Sequence, residues 1–252
     1  MKIQQVAAQL YTLRDSMKTP DDMARTLKAV RAIGYQAVQV SGVGPIAPKA
    51  LRKLLDDNGL TCCSTHEDVG MILNDTDALI EKLKTLGSPS TAIPWLGREH
   101  RIGDGFRRFV AAAGAAYERM KAAGIDLMYH NHAFEFEKTG GRLLLDILYS
   151  ETSLKAEIDT YWVQVGGGNP VEWCRRMAPR MPVVHLKDLA YFEDGGPATA
   201  EIGQGNLDFK AIARACAEGG VKWYAVEQDN CRRPPLESMK ISFDYIRESL
   251  CT

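Results

Sequence analysis

Short apolar runs alternate with amphipathic stretches along almost the whole chain. Residues 3–10 carry Ile3, Val6, Ala7, Ala8 and Leu10 and read as a strand. Residues 21–33 then set Met23, Leu27, Val30 and Ile33 on one side of a helix, and Gly34 supplies its stop. The alternation repeats to the end. Further strands are expected over 37–40, 60–65, 91–95, 125–132, 156–159, 182–186 and 223–226. Further helices are expected over 48–57, 76–86, 104–123, 141–151, 207–218 and 235–250. Another helix begins at Asn169-Pro170, with Asn169 as N-cap and Pro170 in the first turn. One longer polar loop, 190–206, interrupts the rhythm and holds Gly195-Gly196-Pro197 and Gly203-Gln204-Gly205.

This amounts to about eight strand–helix units of roughly 30 residues each. Short strands separated by helices predict βα units and a parallel sheet. Eight of them in 252 residues are what an α/β protein of the (β/α)₈ barrel type, a TIM barrel, requires. A doubly wound sheet is the alternative. It normally has fewer strands and a glycine-rich first turn, whereas the first strand here runs into Gln9-Leu10-Tyr11-Thr12-Leu13-Arg14. No linker or shift of composition divides the chain, so residues 1–252 are expected to form a single domain.

Composition narrows the function classes. Hydrophobic residues make up 45 % of the chain, enough for a large core, and the net charge is only −1. No cluster of Lys and Arg marks a nucleic-acid or membrane surface, so neither partner is expected. No apolar run approaches the roughly 20 residues of a membrane span. Met1-Lys2-Ile3-Gln4-Gln5 lacks the apolar core of a secretory signal. The six cysteines show no CxxC spacing, and Cys62 and Cys63 are neighbours within one strand. All read as reduced, which predicts a cytoplasmic protein.

In a barrel, reacting groups stand at the C-terminal ends of the strands. Those ends carry His66-Glu67, Trp95, His130-Asn131-His132, Asp159, His185-Lys187-Asp188 and Glu227-Asp229. Each has an ordinary explanation alone: Asp159 as a helix cap, Glu227 as an arginine partner, His185 as a satisfied core histidine. Their recurrence at equivalent places on successive strands points to a common site. Nitrogen and oxygen donors without a thiolate suit one divalent cation, Mn²⁺, Mg²⁺, Co²⁺ or Zn²⁺. The stretch Tyr129-His130-Asn131-His132-Ala133-Phe134-Glu135 concentrates two imidazoles, an amide and a carboxylate behind one strand.

The chain resembles the xylose isomerase-like superfamily of TIM barrels, in particular the sugar (phosphate) isomerases and epimerases. The likeness spans essentially the whole chain. It is carried by Gln9-Leu10-Tyr11-Thr12-Leu13-Arg14, by Tyr129 to Phe136, and by Asp159-Thr160-Tyr161-Trp162. Val184-His185-Leu186-Lys187-Asp188, Gly203 to Phe209 and Val226-Glu227-Gln228-Asp229 complete it. The resemblance implies one divalent cation held by residues from the last four strands. Asp159, His185 and Glu227 fall on three of the ligand positions. The remaining position is a Glu in tagatose 3-epimerase-like members; here it is His130, with Glu135 just downstream as a competing ligand or a substrate contact. Those epimerases use two metal-bound glutamates on opposite faces of the sugar, a scheme that needs more than Glu227. The pair His130 and His132 instead resembles inosose dehydratase, which eliminates water from a keto-polyol.

The expected activity is therefore proton abstraction next to a carbonyl of a keto-sugar or polyol, by an isomerase or epimerase. A dehydratase or lyase on the same site is the second reading. Glu227 is the expected base, and His66, His132 or Lys187 the expected acid. Lys187 has an alternative as a salt-bridge partner of Asp188. Glu135, Asn131, Trp95, Trp162 and Tyr11 are the expected substrate contacts, while Trp223 fits core packing. Endonuclease IV shares the barrel, but DNA binding would need a basic face and more than the five histidines present. A non-catalytic sugar-binding barrel is the third reading. The superfamily leaves room for a homo-oligomer, with no interface readable from the chain.

Overall fold

The computed structural model describes residues 1–251. Strands β1 (Val6–Gln9), β2 (Ala37–Val40), β3 (Thr61–His66), β4 (Ser90–Ile93), β5 (Asp126–His130), β6 (Lys155–Asp159), β7 (Val183–Leu186) and β8 (Trp223–Val226) close into a barrel. Every pairing is parallel, and β1 shuts the ring by pairing with both β2 and β8. Ala7 lies beside Ala37 on one side and Ala225 on the other. The expected (β/α)₈ barrel is therefore the observed fold.

The helices are α1 (Pro20–Ile33), α2 (Pro48–Asp57), α3 (Val69–Asn74), α4 (Thr76–Leu86), α5 (Asp104–Ala122), α6 (Leu144–Glu151), α7 (Thr160–Val165), α8 (Pro170–Met177), α9 (Phe209–Glu218) and α10 (Pro235–Ser249). Among the described residues no helix is long and apolar enough to cross a membrane. Local chemistry sets their ends. Thr19 and Asp22 form a reciprocal capping box at the start of α1, and Pro20 takes the first turn. Gly34 ends that helix at φ 128°, where an added Cβ would meet the Phe243 ring at 2.6 Å.

Alternation along each strand sorts side chains into two environments. Val38, Val40, Leu127, Tyr129, Ile158, Val184, Leu186, Tyr224 and Val226 join the helices in one large apolar cluster. Each such side chain, fully buried, is worth roughly 1.5–3 kcal/mol against exposure. The inward residues near the strand starts are apolar and, apart from Met128, small. Ala7, Ala37 and Cys63 form one group, and Ala92, Met128, Val183 and Ala225 another. Trp223 packs against both, the core role expected of it. Further along the same faces the barrel turns polar. Gln9, Gln39, His130, Glu157, Asp159, His185 and Glu227 are all buried there.

Three departures from the expected elements bear on the site. Residues Ile3–Gln5 form a 3₁₀ turn before β1 rather than its first turn of strand, because the Gln5 amide donates to the carbonyls of Val221 and Lys222. The loop 190–206 contains the second arm of an antiparallel hairpin, Asp188–Phe192 with Gly196–Ala200. Helix α6 begins at Leu144, behind a small hairpin of Lys138–Thr139 and Arg142–Leu143.

Candidate active site

The ends of β5 to β8 bring four side chains together. His130, Asp159, His185 and Glu227 each offer a donor atom within 4.8 Å of the other three, and all four are buried. His130 Nε2 lies 3.3 Å from Asp159 Oδ2, and His185 Nδ1 lies 2.9 Å from Glu227 Oε2 and 3.8 Å from Asp159 Oδ2. Asp159 divides its oxygens. Oδ1 caps helix α7 by accepting from the Trp162 backbone N–H at 2.9 Å, leaving Oδ2 to the cluster. The cap reading and the site reading of Asp159 thus both describe it. Two imidazole nitrogens and two carboxylates converging in a buried place are a donor set that fits one divalent cation.

Burial opposes ionisation of both carboxylates, but Lys187 and His185 hold Glu227 well below its ordinary pKa, and Lys187 and His130 lower Asp159. His185 moves the other way. Burial would lower its pKa, yet Glu157 and Glu227 raise it to about 10. Without a cation, a proton on His185 therefore occupies the position where a cation would meet Nδ1. Lys187 is 1 % exposed, and its ammonium reaches Glu227 and Asp229 at 2.9 Å and Asp159 at 3.3 Å. Burial works against its charge, but those three carboxylates outweigh it and raise its pKa. Its salt-bridge partners are these residues and not Asp188. The Asp188 carboxylate accepts instead from the backbone N–H groups of Leu189, Gly203, Gly205 and Leu207.

Two expected substrate contacts are turned away from the opening. Glu135 accepts from the Tyr129 hydroxyl at 2.6 Å and from the His132 N–H at 2.8 Å, and burial raises its pKa to about 7. It lies outside the four-residue cluster, where His130 stands. Asn131 is fully buried, and its Oδ1 accepts from the Asp159 backbone N–H at 3.0 Å, which ties β5 to β6. Both support the site from behind.

A cleft of about 750 Å³ opens above the cluster. Its polar lining includes Glu227, His130, His66, His132, Asp229 and Glu67, and Tyr11, Trp95 and Trp162 are its aromatic lining. Trp95 is 51 % exposed and Tyr11 37 % exposed, and the Arg14 guanidinium lies over the Tyr11 ring, 4.4 Å from its centroid. His132 stacks on Phe134 and leans on Trp162, and its Nδ1 is buried without a partner. Burial, with His130 and Lys187 nearby, lowers its pKa to about 2, so this ring is neutral across the physiological range. Burial also lowers the pKa of His66, against the pull of Glu157.

Residues 27–249 match the family model described as xylose isomerase-like TIM barrel. The chain belongs to this family. Among curated proteins, this xylose isomerase-like barrel is 26 % identical to rhizopine catabolism protein MocC of Rhizobium meliloti, over 89 % of this chain and 80 % of that one. It is 24 % identical to inosose dehydratase of Geobacillus kaustophilus, over 66 % of this chain and 62 % of that one. Among solved structures, a sugar phosphate isomerase/epimerase from Parabacteroides distasonis superposes with a TM-score of 0.82 at 24 % identity, covering 98 % of this chain and 94 % of that one.

Three residues of this xylose isomerase-like barrel, Glu157, Gln39 and Arg14, are not singled out by the sequence. Glu157 lies inside the barrel beneath the cluster. Its Oε2 accepts from His66 Nε2 at 2.5 Å, and its Oε1 accepts from Gln39 Nε2 at 2.7 Å. Gln39 Oε1 in turn accepts from His185 Nε2 at 2.7 Å. A signal was present: Glu157 is two residues before Asp159, and on a strand that spacing returns to the same face. Arg14, quoted only as part of a motif, also lines the cleft and donates to the carbonyls of Tyr11 and Asp229.

Proposed function

We propose that this chain is a divalent-cation-dependent enzyme that removes a proton beside the carbonyl of a keto-sugar or keto-polyol, acting as an isomerase or epimerase. One observation carries the reading: an ionised, buried Glu227 lies at the floor of an open cleft, within a His–Asp–His–Glu donor set. His130, Asp159, His185 and Glu227 would hold the cation. When bound, it would polarise the substrate carbonyl and lower the cost of negative charge developing there. Glu227 is the base. Lys187 keeps that carboxylate ionised and fixed, which is a positioning role for a residue expected as an acid. His66 borders the same cleft as a proton carrier, the neutral His132 ring lines it beside Trp162, and Trp95, Trp162 and Tyr11 offer aromatic surface against which a sugar can pack.

A dehydratase or lyase is the second reading, and His130 favours it. With an imidazole at that position and Glu135 bonded to Tyr129, the donor set itself holds a single glutamate, Glu227. Elimination returns the proton to a departing hydroxyl rather than to the opposite face of carbon, so it does not need a second glutamate. Of the relatives, inosose dehydratase agrees with this alternative.

The test is incubation of the Mn²⁺-loaded protein in D₂O with ketoses, inososes and 3-keto-glycosides, followed by NMR. Deuterium at the α-carbon of an isomer is the expected result, abolished in Glu227→Gln. An enone product selects the elimination. No exchange with any carbonyl compound would overturn both.

A further inference from the structure

Glu157 lies outside the four-residue cluster, yet it is fully buried in the barrel interior. A carboxylate in such a place costs several kcal/mol unless its oxygens are well paired. Its partners therefore indicate its purpose. Oε1 takes the amino end of the Gln39 side chain at 2.7 Å, and Oε2 takes His66 Nε2 at 2.5 Å and lies 3.4 Å from His185 Nε2. An ionised carboxylate only accepts hydrogen bonds. Glu157 thus commits the Gln39 amino group to itself and leaves the Gln39 carbonyl to face His185. That carbonyl, in turn, only accepts, so His185 must present Nε2–H to it, at 2.7 Å. The imidazole is then oriented with Nδ1 toward Glu227 and Asp159.

We propose that Glu157 is a positioning residue for the candidate metal centre: acting through Gln39, it fixes the orientation and Nε2–H form of His185, so that Nδ1 is presented to the cation. The proposal rests on the cation reading above. It follows the general behaviour of metal-binding histidines, whose second nitrogen is held by a carboxylate or carbonyl. Glu157 also approaches His185 Nε2 directly at 3.4 Å, but the shorter contacts, 2.7 Å on either side, run through the Gln39 amide. An amide can flip end for end, and only a partner of fixed acceptor character forbids the flip. Glu157→Gln introduces a side chain that both donates and accepts, so the substitution would release that constraint while preserving shape.

The test is Mn²⁺ titration calorimetry on the wild type, Glu157→Gln, Glu157→Asp, Gln39→Leu and the double variant Glu157→Gln/Gln39→Leu, with melting temperature in chelator as a check of folding. Glu157→Gln and Gln39→Leu should each weaken Mn²⁺ binding roughly 10- to 100-fold. The double variant should lose little more than either single one, because both break one relay. Glu157→Asp keeps the charge but withdraws it by one methylene, and should lose nearly as much as Glu157→Gln. Wild-type affinity in Glu157→Asp beside a loss in Glu157→Gln would reduce Glu157 to a distant charge and overturn the proposal. Additive losses in the double variant would overturn it equally. If Glu157→Gln fails to fold, Gln39→Leu decides, and unchanged affinity there is fatal. A wild type that binds no Mn²⁺ would sink the cation reading and this inference together, whereas unchanged affinity in both single variants of a binding protein sinks this inference alone.

Discussion

Glu135 lies five residues beyond His130 in the chain but faces away from the cluster, toward Tyr129. Its surroundings set its protonation. Burial raises its pKa from 4.5 to about 7, against the hydrogen bonds from Tyr129 and the His132 N–H, which favour the charged form. The folded state thus holds this proton more tightly than the unfolded chain does. The resulting stabilisation is fully present below pH 4.5 and is lost as pH rises through about 7. The 2.5-unit gap between 4.5 and 7 corresponds to roughly 3 kcal/mol. Glu135→Gln has no such proton. Urea unfolding should show the stability of the wild type relative to Glu135→Gln falling by roughly 3 kcal/mol from about pH 4.5 to about pH 8. A difference that does not change with pH would mean that Glu135 titrates like an exposed carboxyl. The same residue shows where sequence reasoning stops. The spacing of His130 and Glu135 offered two ligands for one position, and only the Tyr129 hydroxyl, on the outward face of β5, separates them.

Strand and helix periodicity made the barrel legible at the level of elements, because each unit must bury an outward apolar face beneath its own helix. The strand-end histidines and carboxylates were legible for the same reason: the fold fixes which end bears the site. Glu157 was not, since only the strand ends are expected to carry the site and Glu157 lies two residues inside one, although its spacing from Asp159 puts both on the same face. The hairpin of Asp188–Phe192 and Gly196–Ala200 was also missed. Its glycine- and polar-rich composition resembles an irregular loop, and what orders the connection behind it is the Asp188 carboxylate. This group accepts from the N–H groups of Gly203, Gly205 and Leu207. At Gly205 an added Cβ would meet Asp188 Oδ1 at 2.3 Å and the Leu189 carbonyl at 2.5 Å, so only glycine allows the approach. Asp188→Ala would leave those three N–H groups without their acceptor. The expected cost is at least about 2 kcal/mol in denaturant unfolding. Amide exchange in residues 201–207 should accelerate well ahead of the barrel strands. Exchange in that segment at the wild-type rate would show that the loop is held by something other than Asp188.

Across the whole molecule, the barrel divides its interior between two tasks. Mostly small apolar residues around Trp223 pack the part near the strand starts, and ionisable groups fill the part near the strand ends. The second half is energetically expensive. Glu157, Asp159 and Glu227 are buried carboxylates, offset only in part without a cation by Lys187 and a protonated His185. Such clusters hold together when fully paired and are costly when one partner is removed. A divalent cation would supply charge where the strands of the closed sheet converge, so its binding should stabilise the fold as a whole rather than one loop. At a free Mn²⁺ concentration of about 100 times Kd, linkage gives about 2.7 kcal/mol. For a chain of this length that corresponds to a rise in Tm of roughly 5–10 °C over the chelator-treated protein. Asp159→Ala removes an oxygen donor and the cap of α7 together, so its baseline Tm should fall and its Mn²⁺ response should vanish. Glu227→Ala removes a donor without a cap and separates the two effects: it should lose the Mn²⁺ response while α7 keeps its Asp159 cap. Retention of the full Mn²⁺ shift in both variants would place the cation elsewhere on the molecule and leave this cluster as a network of buried ion pairs.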